Sequence, residues 1–181
     1  NVDQALLTGV TLSASTKRNQ FTLRGTLDLQ DPRDETTNKR LARRAREHGS
    51  LALEYTANAA NVGAEFVFSS HRFDDISNRN RLGGYGLLNL YANYDLGQNW
   101  SLFGRWNNVT DKNYELARNY ATAGSNVFVG VRLSGSEKER QQLLNELVSA
   151  NYQVNDFTDN ELAKLHVRYM IGGKNAVNEK T

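Results

Sequence analysis

Phe21-Thr22-Leu23-Arg24-Gly25-Thr26-Leu27-Asp28-Leu29 carries apolar side chains or glycine at odd positions and polar side chains at even ones. Successive side chains of a strand point to opposite faces, so this stretch reads as a β-strand with one apolar and one polar face. The same period of two recurs on both sides of it. Val10, Leu12 and Ala14 alternate with Thr11, Ser13 and Ser15, and Leu51, Leu53 and Tyr55 with Ala52, Glu54 and Thr56. Val62, Ala64, Phe66 and Phe68 repeat it, as do Leu88 to Leu96, Leu102 to Trp106 and Val127 to Leu133. The pattern predicts seven strands.

The links between these strands alternate in length. Thr16–Gln20, Asn58–Asn61 and Gly97–Asn99 are short and polar, whereas Asp31 to about His48, His71 to about Gly84, and Thr110 to about Ser125 are long. Short turns at one rim and long loops at the other mark transmembrane β-barrels. A soluble sandwich also alternates along its strands but has no such asymmetry of links. The composition agrees. Mean hydropathy of -0.64 is low for a soluble core, yet ordinary for strands that are half polar.

Composition also excludes several classes. There is no cysteine among 181 residues, which removes disulfide scaffolds, thiolate metal sites and cysteine nucleophiles. The formal charge of +2, from 22 basic and 20 acidic side chains, argues against a nucleic-acid binder. No apolar run approaches the ~18 residues of a membrane-spanning helix. Asn1-Val2-Asp3-Gln4 lacks the basic start and apolar stretch of a signal peptide. His48, His71 and His166 lack HExxH spacing, and no Walker A, G-x-S-x-G or dinucleotide glycine pattern occurs. No catalytic residue and no cofactor are expected. Asp74 and Asp75 fall short of a calcium loop.

After Ser134 the period changes. Ser136-Glu137-Lys138-Glu139 is a capping box, and Leu143, Leu144, Leu147 and Val148 follow at helical spacing. Asn151–Asp156 suits a short strand. Thr158-Asp159-Asn160-Glu161 opens a second helix, with Leu162 and Leu165 inward, that Gly172-Gly173 stops.

Arg105-Trp106-Asn107-Asn108-Val109-Thr110-Asp111-Lys112-Asn113-Tyr114 ends a strand. Asn108 and Asp111 are placed to cap the turn, and Tyr114 to fold back on the strand end. This run resembles the penultimate-strand signature of TonB-dependent outer-membrane receptors. Asn119-Tyr120-Ala121-Thr122-Ala123-Gly124, Gly9-Val10-Thr11-Leu12, Asp28 to Asp34 and the basic run Arg40 to His48 are similar to the same family, in its vitamin B12 (cobalamin) type. The resemblance covers residues 1–134. It implies strands of a Gram-negative outer-membrane barrel that is plugged by a further domain and imports a corrinoid with energy from TonB. The implied partners are outer-membrane lipid, the corrinoid, the remaining barrel strands and plug, and TonB acting through that plug, with no nucleic acid.

Val127 to Leu133, Glu139-Arg140 and Asp159 to Gly173 resemble instead the regulatory C-terminal region of biosynthetic threonine dehydratase. That likeness implies an ACT-like β-α-β unit sensing isoleucine and valine, without the pyridoxal-phosphate domain. The two resemblances meet on one Val-rich strand, as in a join of two coding segments. The combined expectation is a mainly β chain: an antiparallel up-and-down meander of about seven strands over 1–134, part of a transmembrane barrel, then a small α/β, ACT-like tail over 135–181.

Within this frame the long links supply the candidate ligand contacts: His71, Arg72, Asp74, Asp75, Arg118 and Tyr120. Arg43, Arg44 and Arg46 are expected to meet lipid or lipopolysaccharide phosphates. Trp100, Phe103, Trp106, Tyr85, Tyr91 and Tyr94 are candidates for the aromatic girdles at the headgroups.

Overall fold

A computed structural model describes residues 4–133 and 135–154. Seven long strands form one antiparallel sheet: β1 (Ala5–Arg18), β2 (Phe21–Asp34), β3 (Glu47–Ala57), β4 (Ala60–Ser69), β7 (Tyr85–Gly97), β8 (Trp100–Asn107) and β11 (Asn126–Leu133). They lie in sequence order, as a meander requires. Two small hairpins sit in the long links, β5 (Arg72–Phe73) with β6 (Arg81–Leu82) and β9 (Glu115–Ala117) with β10 (Tyr120–Ala121). Helix α1 (Glu137–Ser149) follows. The chain groups into two compact units, Asn1–Ala92 with Arg105–Val127, and Asn93–Gly104 with Phe128–Thr181.

The seven expected strands are all present, and the first three run longer than the alternation suggested. β2 continues through Asp31 to Asp34 because its far end finds backbone partners on both sides. Leu7 stands opposite Pro32, while the amide of Leu41 donates to the Pro32 carbonyl (3.0 Å) and the amide of Gln30 to Arg46 O (2.8 Å). The link 35–46 thus folds back along β2 instead of leaving it. Pro32, which has no amide to contribute, is fully buried beneath this return.

Asn19, Asn58 and Asn99 occupy the short turns with φ of 52°, 46° and 69°. Asparagine tolerates this left-handed region better than other side-chain-bearing residues, which is why two-residue links suffice here.

Burial is inverted relative to a soluble domain. On the apolar face Leu23, Leu53, Phe66 and Leu90 keep 41%, 47%, 45% and 37% of their surface exposed. On the opposite face the Arg24 and Glu54 side chains keep only 31% and 20%. A sandwich would bury the first set and expose the second. Register explains the split: Leu23 pairs with Leu53 and Leu53 with Ala64, while Arg24 pairs with Ala52 and Ala52 with Glu65.

The second unit contributes the turn at Gly97 (φ 77°), part of β8, β11 and the helix. Phe103 packs over Gly130, where an added Cβ would lie 2.5 Å from Phe103 Cζ, and the Arg132 guanidinium stands 5.7 Å from the same ring. Ser136 and Glu139 form the expected capping box of α1. Residues 151–154 form no strand, and the remainder of the proposed Asn151–Asp156 strand, the second helix from Thr158 and His166 lie outside the described residues. The described helix is not long and apolar enough to cross a membrane, which says nothing about crossing by strands.

Substituting Leu53→Arg puts a charge on the exposed apolar face. In phospholipid vesicles it is expected to lower stability by about 2–4 kcal/mol if the site lies near the bilayer midplane. Denaturant unfolding followed by tryptophan fluorescence checks this, with Leu53→Phe near neutral as the comparison.

Candidate functional site

The polar face of the first unit is knitted by side chains that cross several strands. Arg24 donates to Glu54 Oε2 (3.0 Å), and the Tyr91 hydroxyl donates to the same oxygen (3.1 Å). Tyr91 belongs to β7 and Glu54 to β3, so the ring must pass over β4. It does so at Gly63, where any Cβ would lie 2.3 Å from Tyr91 Cζ. Arg105 donates to Glu65 Oε2 (2.8 Å) and to Asn107 Oδ1 (2.7 Å), and Asn89 also donates to Glu65 Oε2 (3.3 Å). Tyr91, Phe103 and Tyr85 therefore do not serve as girdle residues. Tyr91 bonds across the polar wall, Phe103 covers Gly130, and Tyr85 packs at a tilt against Tyr114 with ring centroids 4.5 Å apart. Trp100, Trp106 and Tyr94 stay exposed on the strands, as girdle residues are expected to be.

Antiparallel order brings the three long links to one end of the sheet, where they are tied together. Asn78 Nδ2 donates to Arg40 O and its Oδ1 accepts from the Arg40 amide, both at 2.9 Å. Arg40 Nη1 lies 3.1 Å from His71 Nε2. Arg43 Nε donates to Asp74 Oδ1 (2.7 Å), and the Arg43 amide to Phe73 O (2.6 Å). Arg118 donates to Asn80 Oδ1, and Arg72 Nη2 to Glu115 O (2.6 Å), which joins the third link to the second. Asn108 caps the turn as the sequence suggested, with Lys112 N donating to Asn108 Oδ1 (2.8 Å), whereas Asp111 Oδ1 accepts from Ser125 N (2.8 Å) at the far end of the link.

The six expected ligand residues thus meet different fates. His71, Arg72, Asp74, Asp75 and Arg118 belong to the loop cluster, but chiefly as ties that hold it. Asp75 accepts from the amides of Asn80 and Arg79, and these bonds hold its carboxyl below the usual carboxylate range. Tyr120, on β10, is 72% exposed and Arg118 is also exposed, whereas His71, Asp74 and Asp75 are half-buried and Arg72 is buried. Of the expected lipid-facing arginines, Arg43 pairs with Asp74 and Arg46 lies 3.6 Å from Asp31, while Arg44 is exposed and makes no hydrogen bond or ion pair among the described residues. Sequence reasoning missed Arg40, Asn78 and Asn80, whose partners are tens of residues away, and the Glu54–Tyr91 and Glu65–Arg105 ties. Only the polar phase of the alternation hinted at the latter. Among the described residues no group of acidic or histidine side chains is arranged to hold a metal.

Comparison with known proteins places this architecture. The model of the TonB-dependent receptor-like β-barrel family matches residues 1–109, and the chain belongs to that family. Its barrel relatives are outer-membrane proteins of Gram-negative bacteria, and the chain is a segment of such a receptor. The vitamin B12 transporter of Vibrio vulnificus is 30% identical over 130 residues, covering 72% of this chain and 20% of the transporter. The siderophore receptor PiuA of Acinetobacter baumannii shares the fold, with a TM-score of 0.62 at 19% identity over 71% of this chain and 22% of that one. A second model, the C-terminal regulatory domain of threonine dehydratase, matches residues 100–167. The biosynthetic threonine dehydratase of Escherichia coli K12 is 47% identical over 66 residues, which are 36% of this chain and 12% of the enzyme. The chain therefore spans about a fifth or less of these relatives.

Burial, reinforced by the positive charges of Arg81 and Arg40, pushes the His71 imidazole below its ordinary value. The neutral ring is thus the form that fits the closed loops. As pH falls below about 6.5, unfolded or detached His71 takes up a proton before the packed one does, so loop closure weakens with falling pH. Amide exchange in 35–46 and 70–84 is expected to quicken, relative to its intrinsic rate, from pH 8 to pH 5. His71→Gln, which keeps an acceptor and cannot titrate, is expected to remove that extra quickening.

Proposed function

We propose that residues 1–134 form wall strands of a receptor barrel that takes up cobalamin or a related corrinoid, and that residues 135–181 are a separate tail of regulatory type. The observation that carries the corrinoid reading is the likeness to vitamin B12 transporters. It extends over 130 residues in the Vibrio vulnificus protein and 120 in that of Photobacterium profundum, at 28% identity. The inverted burial supports membrane placement: exposed leucines suit lipid, and the Arg24–Glu54–Tyr91 wall suits a wet lumen. The tied loop end supplies a preorganised rim to which Tyr120 and the accessible parts of the cluster offer contacts.

Membrane barrels of this kind begin at about eight strands, so the seven here work with further wall strands and a plug, through which TonB acts. An unpaired sheet edge in lipid costs several kcal/mol per unsatisfied group, roughly, which makes those partners a physical requirement. In this reading the chain transports and catalyses nothing. The second reading assigns the tail to isoleucine or valine sensing. It rests on the 47% identity to the Escherichia coli dehydratase, higher than any barrel match quoted above but confined to 66 residues.

A chimaera tests the first reading. Residues 4–133 replace the matching strands of the Vibrio vulnificus transporter in a strain lacking its own corrinoid receptor. Cyanocobalamin-dependent growth is expected to persist. Loss of growth by a chimaera that still assembles in the outer membrane rejects the corrinoid assignment. A rise in melting temperature of the water-soluble chain with isoleucine favours the second reading.

A further inference from the structure

On the polar face, under the loop end of the first unit, lies a cavity of about 570 Å³. It is lined by Asp28, His48 and Ser50 of β2 and β3, by the exposed Arg43 and Arg44, and by the buried Arg72. Three arginines thus share the lining with one carboxylate, and that carboxylate is already engaged. The Thr11 hydroxyl donates to Asp28 Oδ1, and His48 Nε2 lies 3.5 Å from Oδ2.

The three arginines differ in what they have left to give. Arg43 is spent on Asp74. Arg72 is only 4% exposed, with its guanidinium 5.4 Å from the Tyr85 ring centroid. Its Nη2 donates to Glu115 O, but its Nη1 is buried with no hydrogen-bond partner among the described residues. Arg44 is exposed at the rim and has no partner among the described residues. His48 Nδ1 is likewise buried and unpartnered. A buried cation with an unused donor carries a desolvation cost that a charge-assisted hydrogen bond offsets. Arginine presents its donors in a planar fork that suits carboxylate and phosphate oxygens.

We propose that this cavity is a binding site for a small anion, a carboxylate or phosphate group carried by the ligand that the loops collect, held between Arg44 at the rim and Arg72 at the wall. The proposal rests on the receptor reading, since it is the barrel that turns this face toward a lumen. Arg72 lines the cavity, but its Nη1 is buried, so the proposal requires a displacement of the 70–84 link, which the Arg40–His71 and Arg43–Asp74 contacts hold.

The test uses the full 181-residue chain refolded in detergent micelles. Sodium phosphate and sodium acetate are titrated separately at constant ionic strength, and binding is read by calorimetry. Saturable binding of one or both is expected, and the preferred anion identifies the ligand group. Loss of a charge-assisted hydrogen bond predicts about tenfold weaker binding for Arg44→Gln and for Arg72→Gln. Arg132→Gln, in the other unit, is expected to leave binding unchanged. Arg44→Gln carries the test if Arg72→Gln fails to fold, because Arg44 is exposed and makes no tie among the described residues. Absence of saturable binding, or binding indifferent to Arg44→Gln, overturns the proposal while detergent-dependent sheet structure leaves the barrel reading standing. A chain that gains no sheet structure in detergent defeats both. Phosphate or acetate binding by the chain beside a chimaera that fails to take up cyanocobalamin sinks only the corrinoid assignment.

Discussion

Strands that cross a bilayer must satisfy every backbone amide and carbonyl on their neighbours, because lipid offers no partners. In the first unit that pairing runs without a break from Ala5 opposite Asp34 to Ala57 opposite Ala60. Once the ladder is fixed, a strand's alternation leaves one row of side chains for lipid and one for the interior. The leucines stay outside, and the charged groups find one another inside. Glu54 is the clearest case, because Arg24 from β2 and Tyr91 from β7 converge on one of its oxygens. Gly63 is the permissive element between them, since no side chain fits beneath the tyrosine ring. The wall is thus held twice, by backbone pairing along it and by side-chain bonds across it.

The same pairing decides where chemistry can gather. Antiparallel neighbours send every second link to the same end, so the three long links meet there. What holds them is polar and specific: the reciprocal Arg40–Asn78 bonds, Arg43 on Asp74, Arg72 on Glu115 O. Arg43, Asp74, Asp75, Arg72 and Arg118 are engaged in such ties. Arg44 and one amino group of Arg72 are not so engaged among the described residues, and both residues line the same cavity.

Two family models match this chain, the barrel model over residues 1–109 and the regulatory-domain model over 100–167, so both cover residues 100–109. The overlap falls on β8, while β11, the strand on which the sequence likenesses were expected to meet, lies within the regulatory-domain match alone. Val127, Val129 and Val131 lie on one side, exposed at 62%, 72% and 56%, while Gly130 accepts the Phe103 ring on the other. A β-branched row opposite a glycine is at home at a barrel wall and at the edge of a small α/β sheet.

The sequence by itself determined the seven strands, the short turns between them, the cap at Asn108 and the capping box at Ser136. Each of these depends on residues within a few positions of one another, where period and side-chain chemistry are local. The sequence also carried both family likenesses. It did not contain the register, so Glu54 could not be matched with Tyr91, nor Arg40 with Asn78, and His71, Asp74 and Arg118 read as free ligand contacts when they are largely ties. Only the tertiary structure decided which charges are spent and which remain, because a charge is neutralised by whatever the fold brings within hydrogen-bond reach, tens of residues away along the chain.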